Sequence, residues 1–148
     1  MDIQHLYINL KIKMMLKKIT ILCFVIVVLS SCSNDNEPSY TYEFLTIDEA
    51  IVPASFKFGE RDTIAIKYTL NNGCYSFDNL YYEYQDTARI VAVRALLSLE
   101  DVCTENIRQE EYKFVVNVTQ KEDYLFKFWK GKDSNGESIF EEIVVPVN

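Results

Sequence analysis

The sequence predicts an all-β domain, folded as a single antiparallel two-sheet sandwich of about seven strands. From residue 42 to residue 148, apolar and polar residues alternate with a period of two in one segment after another. Short clusters rich in Gly, Asn, Asp and Gln separate these segments, as turn residues do. No stretch shows the 3.6-residue period of a long amphipathic helix. These observations favour strands with one buried face.

The first half of this region contains four predicted strands. The most regular is DTIAIKYTL, in which Ile64, Ile66, Tyr68 and Leu70 fall on one side. The other three are FLTIDEAIV (44–52), CYSFDNLYYEY (74–84) and ARIVAVRALLSL (88–99). The last two are rich in aromatic and β-branched residues, which strands favour.

The second half contains three predicted strands: EEYKFVVNVT (110–119), YLFKFWK (124–130) and IFEEIVVPV (139–147). The residues of the first two that we expect to face the core are Tyr112, Phe114, Val116, Val118, Tyr124, Phe126 and Phe128. Trp129 falls on the opposite phase of its strand, so we expect it to point outward.

Turn clusters separate the predicted strands at 58–60, 71–73, 85–86, 120–123 and 133–136. Such spacing in a domain of about 105 residues fits a sandwich of immunoglobulin-like type, although the Cys, Trp, Cys spacing of true immunoglobulin domains is missing. The segment KDSNGE (132–137) has two interpretations, a calcium loop or a hairpin turn on Asn135-Gly136. Because Ile139 and Phe140 stand where further ligands would be needed, we favour the hairpin and predict no metal.

The first 31 residues predict a signal peptide that lies outside the fold. Lys17 and Lys18 form a basic n-region, and 19–29 is an apolar run of eleven residues. A membrane-spanning helix needs roughly 20 apolar residues, so this run fits a signal-peptide core better. Residues 1–13 fit a mis-assigned start of translation upstream of the leader.

The leader ends in Leu29-Ser30-Ser31-Cys32, which resembles the lipobox of bacterial lipoproteins. In that family the cysteine is alkylated with a diacylglyceryl group and becomes the acylated N-terminus. The resemblance implies that Cys32 anchors the protein to a membrane. Two or more acyl chains on this residue would keep the protein stably bound to the bilayer. The alternative is a plain secretory signal with an incidental cysteine. Residues 32–41 are polar and contain Pro38, so we expect a flexible tether.

Asp35 and Glu37 resemble the acidic tags that follow the lipidated cysteine in surface lipoproteins of Bacteroidota. The segments NNGCYSF, VCTE and YLFKFWKGKDSNGESIF together resemble small Bacteroidota lipoproteins with an immunoglobulin-like domain. This resemblance implies the fold, a disulfide and a lipid-anchored position at the cell surface. A periplasm-facing position in the outer membrane is the alternative.

The cysteine count also favours a disulfide. Of the four cysteines, Cys23 lies in the leader and Cys32 is the expected lipid site, which leaves Cys74 and Cys103. In an exported protein, an even number of remaining cysteines favours a disulfide. A redox or metal pair is less favoured, because the mature part has neither CxxC spacing nor a histidine.

Charge and composition argue against several classes of function. From Cys32 onward there are 11 Lys or Arg and 21 Asp or Glu, a formal charge of −10, which disfavours nucleic acid as a partner. The only histidine is His5, so Ser-His-Asp and Cys-His catalysis is excluded from the mature part. Glycoside hydrolysis on carboxylates needs a walled cleft that a small sandwich rarely offers, despite the pairs Glu100-Asp101, Glu110-Glu111 and Glu141-Glu142. We therefore predict no enzyme, no catalytic residue and no cofactor.

Aromatic residues make up 14% of the chain, and they suggest a ligand surface. Trp129 with Tyr81 or Tyr82 could stack on the apolar faces of sugars, whereas the alternative is that Trp129 covers a sheet edge or closes the core at one end. Our main hypothesis is a non-catalytic binding or structural module, lipid-anchored to the outer membrane or cell surface, with protein or glycan as partner. The alternative is a carrier of a small ligand or glycan inside a barrel, but the large inward side chains favour a filled core.

Overall fold

The computed structural model describes residues 10–18, 39–99 and 102–148. The chain divides into two compact units, Met1–Glu37 and Pro38–Asn148. In the first unit, residues 10–18 form a helix with exposed side chains. No helix in the described residues is both long enough and apolar enough to cross a membrane. The predicted leader core, the lipid site Cys32 and most of the predicted tether lie outside the described residues.

The second unit is a β-sandwich of eight strands. They are β1 (Tyr40–Leu45), β2 (Ile47–Ile51), β3 (Arg61–Leu70), β4 (Tyr75–Gln85), β5 (Ala88–Ser98), β6 (Arg108–Asn117), β7 (Tyr124–Lys132) and β8 (Ser138–Val145). The count exceeds the predicted seven because segment 44–52 is divided at Thr46 between two strands. β1 begins at Tyr40, two residues before the predicted start of the domain.

The strands form one sheet of five and one sheet of three. The smaller sheet has the order β2-β3-β6, and the larger contains β1, β4, β5, β7 and β8. All pairs are antiparallel except β5 and β7, which run parallel from Ala88↔Leu125 to Val91↔Phe128. An isolated bridge between Phe56 and Val147 is also parallel. The prediction of a purely antiparallel sandwich is therefore wrong.

The parallel pair exists because two strands share one edge of β5. Along its other edge β5 pairs with β4 over its whole length. On the shared edge, β7 pairs with β5 up to Val91, and β1 pairs with it from Val93 onward. β1 and β7 therefore approach each other head-on, and Ala92 of β5 lies where one partner replaces the other.

Both strands change course at this junction. β1 ends at Leu45, and after Thr46 the chain enters the three-stranded sheet as β2. β7 is bulged between Trp129 and Gly131, and Gly131 lies beside Thr46 with a φ of +114°, a conformation that favours glycine.

Aromatic and aliphatic side chains fill the centre of the sandwich. Phe126 and Phe128 are fully buried, as their inward phase predicted. The Phe126 ring lies 6.0 Å from those of Tyr124 and Phe56 and 5.9 Å from that of Phe128, measured between centroids. These rings pack against one another in the core, as their large inward side chains predicted.

The predicted disulfide between Cys74 and Cys103 is present, with Cα atoms 5.1 Å apart. It joins the turn before β4 to the loop after β5. Beside it, the Gly73 amide donates to the Thr104 carbonyl at 2.9 Å, and a Cβ at position 73 would collide with the Thr104 side chain. The two loops therefore fit closely around the bond.

Candidate functional site

An aromatic groove of about 360 Å³ lies on the outer face of the five-stranded sheet. Its rings belong to Phe44, Tyr81, Trp129 and Phe140, each from a different strand. Ile90 and Ala92 of β5 line it as well. The groove thus lies over the junction at which β7 and β1 meet on β5.

Strand register brings these rings together. Tyr81 of β4 pairs directly with Ala92, and Phe44 of β1 pairs with Arg94, the next outward residue of β5. Trp129 of β7 pairs with Phe140 of β8. Because alanine presents only a methyl group, the larger rings on both sides rise above it and form the walls.

Phe44 lies between Tyr81 and Trp129, the two residues for which the sequence predicts a ligand platform. Its ring centroid is 5.5 Å from that of Tyr81, with planes at 78°, and 6.1 Å from that of Trp129, with planes at 58°. Phe44 is 47% exposed and Tyr81 40% exposed. Contiguous exposed apolar surface of this kind is typical of interaction sites.

Polar groups border the rings. The Tyr81 hydroxyl donates a hydrogen bond to Glu83, and this bond raises the pKa of Tyr81 above its usual range. The Trp129 indole N–H donates to Ser138 Oγ at 3.3 Å. Lys132 also lines the groove. The site therefore combines aromatic walls with a carboxylate, an ammonium group and hydroxyls.

Tyr82 does not join this groove. Neighbouring residues of a strand point to opposite faces, so Tyr82 turns toward the other sheet, with its ring centroid 5.8 Å from that of Phe114. Burial raises the pKa of Tyr82 to about 12. The structure thus places Tyr81 with Trp129 and leaves Tyr82 on the inner side.

Sequence analysis missed Phe44 and Phe140. A signal for Phe44 exists in YTYEFL, where Tyr40, Tyr42 and Phe44 share the phase opposite the buried Leu45. Three alternating aromatics opposite a core residue predict an outward aromatic face. For Phe140 the signal is its register in the hairpin with β7, which the bulge near Gly131 obscures.

The carboxylate pairs considered for catalysis lie beside lysines. Glu111, Glu141 and Glu142 form ion pairs with Lys113, Lys130 and Lys127, at 3.1, 3.2 and 3.0 Å respectively. Adjacent residues on a strand face opposite sides, which separates the members of the pairs at 110–111 and 141–142. Glu100 and Asp101 lie outside the described residues.

The segment 132–137 forms a turn held by its own aspartate. Asp133 Oδ1 accepts the amide hydrogens of Asn135 and Glu137 at 2.8 and 2.9 Å, and Gly136 has a φ of +85°. This geometry is that of a hairpin loop. Over the ranges 10–18, 39–99 and 102–148, no group of three or more His, Cys, Asp or Glu side chains could hold a metal ion.

Comparison with known proteins identifies the domain. The model of a family described as the ORF11 beta-sandwich domain matches residues 64–145, more than half of the chain. No curated protein and no solved structure matches. The matched range runs from β3 to the end of β8 and includes Tyr81 and Trp129 but not Phe44. The chain therefore belongs to the ORF11 β-sandwich domain family.

Proposed function

We propose that this protein is a non-catalytic glycan-binding module, held at the outer membrane or cell surface by lipid on Cys32. The observation that carries the glycan assignment is the aromatic groove, in which Phe44 lies in ring contact with both Tyr81 and Trp129. Aromatic rings stabilise a fold most when they are buried in its core. Rings that remain exposed on the outer face therefore favour the binding of a ligand at this surface.

The chemistry of the groove suits a sugar. A pyranose has apolar C–H faces that pack on aromatic rings, and hydroxyls around its edge that need hydrogen-bond partners. Glu83 and Ser138 supply acceptors, and Lys132 supplies donors. The volume of about 360 Å³ falls within the range of roughly 300–1,000 Å³ of small-molecule sites.

Trp129 provides a direct measurement because it is the only tryptophan in the chain. We expect its fluorescence emission to change saturably when short oligosaccharides of glucose, mannose, xylose or N-acetylglucosamine are titrated into the full chain. Free galactitol, which lacks a ring, serves as the control ligand. A flat response to every oligosaccharide would contradict the proposal.

Replacing Trp129 by alanine is expected to weaken glycan binding at least tenfold, equivalent to about 1.4 kcal/mol, since buried aromatic anchors dominate binding sites. Phe44→Ala should have a similar effect. Phe58→Ala is the matched control, because Phe58 is an exposed aromatic that does not line the groove. Isothermal titration calorimetry measures all three, and equal affinities would exclude the groove as the site.

The proposed anchor rests on the leader and the lipobox-like Leu29-Ser30-Ser31-Cys32. We expect Cys32→Ser to move the protein from the membrane fraction to the soluble fraction and to abolish labelling by radioactive palmitate. Cys23→Ser is the matched control and should leave both properties unchanged, because Cys23 lies in the segment that cleavage removes. Membrane retention of the Cys32→Ser variant would count against lipidation.

The finer assignment of the fold to the immunoglobulin-like type has support from Tyr124 at the start of β7. Its hydroxyl accepts the amide hydrogens of Thr119 and Gln120 at 3.0 and 3.4 Å, a few residues upstream. A tyrosine bonded back to the preceding loop in this way is typical of the corner that immunoglobulin-like sandwiches contain.

A further inference from the structure

A second candidate site centres on a buried arginine. Arg89 lies on the inward phase of β5 with Val91 and Val93, and its side chain is only 4% exposed. Removing a guanidinium from water costs several kcal/mol unless an opposite charge and hydrogen bonds compensate. The contacts of Arg89 therefore show which of these two, an opposite charge or hydrogen-bond partners, its guanidinium lacks.

Arg89 donates only to neutral oxygens. Nη1 donates to the carbonyls of Asp86 and Ala88 at 2.9 and 2.8 Å, and Nη2 donates to Gln120 Oε1 at 2.5 Å. No carboxylate of the described residues pairs with it, and Nε, although buried, has no hydrogen-bond partner. Tyr82 also forms a side-chain hydrogen bond with Arg89, so among the described residues the buried Nε–H is the guanidinium donor that lacks a partner.

Tyrosine rings hold the guanidinium in place. Its Cζ lies 4.4 Å from the ring centroid of Tyr84 and 5.0 Å from that of Tyr124. Cation–π contacts of this kind stabilise the charge but leave it without a counter-ion. The arginine is therefore oriented and positively charged before any ligand arrives.

Arg89 lines a cavity of about 250 Å³ between the edge strands β4 and β6. The polar groups beside it are Tyr82, Asn117 and Thr119, and the apolar walls include Leu80 and Phe114. Tyr82 lines this cavity and Tyr81 the aromatic groove, so the two sites lie on opposite faces of β4. The cavity is smaller than most sites for drug-sized ligands, which fits a small molecule.

We propose that this cavity binds a small organic carboxylate with a short apolar tail. The carboxylate pairs with the charged guanidinium and accepts a hydrogen bond from the Nε–H of Arg89, which is a charge-assisted bond. The tail packs against Leu80 and Phe114, and the bound anion supplies the missing counter-charge. The inference does not depend on glycan binding, because the two sites share no lining residue.

Side-chain NMR of the full chain tests this inference directly. The ¹⁵N–¹H Nε resonance of Arg89, assigned by its loss in Arg89→Lys, should shift saturably with acetate but not with chloride at equal ionic strength. The Nε resonances of Arg61, Arg94 and Arg108 are internal controls. Affinity should rise about fourfold per methylene from acetate to butyrate, as burial of each methylene predicts. The absence of a saturable shift, or tighter binding of inorganic phosphate than of butyrate, would overturn the assignment.

Two variants at Gln120 keep the test independent of the arginine itself. Gln120→Glu puts a carboxylate where a neutral oxygen now lies 2.5 Å from Nη2, so we expect it to weaken acetate binding at least tenfold. Gln120→Leu removes the acceptor without adding charge and should retain acetate binding. Far-UV circular dichroism checks that both fold. Equal weakening by both variants would assign Arg89 a purely structural role.

Discussion

Replacing Phe126 by alanine is expected to lower the free energy of unfolding by about 3–5 kcal/mol. Phe126 is fully buried and packs against Phe56, Tyr124 and Phe128. Removing the ring loses its transfer free energy and leaves a cavity that rigid aromatic neighbours cannot fill. Urea denaturation followed by circular dichroism and Trp129 fluorescence measures the change.

Phe58→Ala is the control for this measurement. Its side chain is 48% exposed, and we expect a loss below about 1 kcal/mol. An unchanged dependence of the unfolding free energy on urea concentration would show that both variants unfold as the wild type does. A loss below about 1 kcal/mol for Phe126→Ala would show that the aromatic core is not packed as described.

The double variant Cys74→Ser, Cys103→Ser is expected to lose about 2–5 kcal/mol of stability. The bond closes a loop with a sequence separation of 29 residues, for which the chain-entropy model gives about 3.6 kcal/mol. The close fit of Gly73 against Thr104 should survive, so we expect a folded but less stable domain. Thermal and urea unfolding measure the loss.

Reduction by dithiothreitol is the matched comparison. It should lower the stability of the wild type to about that of the double variant and leave the double variant unchanged. If reduction left the wild type as stable as before, the bond would contribute nothing to the folded state.

Much of the sandwich could be predicted from local sequence. The alternation of apolar and polar residues correctly predicted which side chains of β7 are buried. Phe126 and Phe128 are fully buried, and Trp129 lies on the outer face. The cysteine count predicted the disulfide correctly. Both predictions succeed because each depends on local information. The buried phase of β7 follows from the alternation within one segment, and the disulfide follows from an even number of remaining cysteines.

Pairing between distant segments could not be predicted in this way. Nothing in ARIVAVRALLSL indicates that β5 changes partner at Ala92, and nothing in FLTIDEAIV marks Thr46 as the point where the chain changes sheets. The aromatic groove depends on that junction, so only Tyr81 and Trp129 of its walls were named in advance. The buried site at Arg89 could not be predicted either, because alternation alone does not show that an arginine in an apolar strand lies on its buried face.

The strand that comes first in the sandwich pairs with one far along the chain. Tyr40 pairs with Ser98, which follows it by 58 residues, whereas β4 and β5 are joined by a tight two-residue turn at Asp86 and Thr87. Hairpins of that kind close within about 1–10 μs, while sheets dominated by distant pairings assemble over milliseconds to seconds. During folding, the backbone N–H and C=O groups of β1 that pair with β5 therefore stay unpaired until β5 is in place, which leaves an open strand edge of the kind that promotes aggregation.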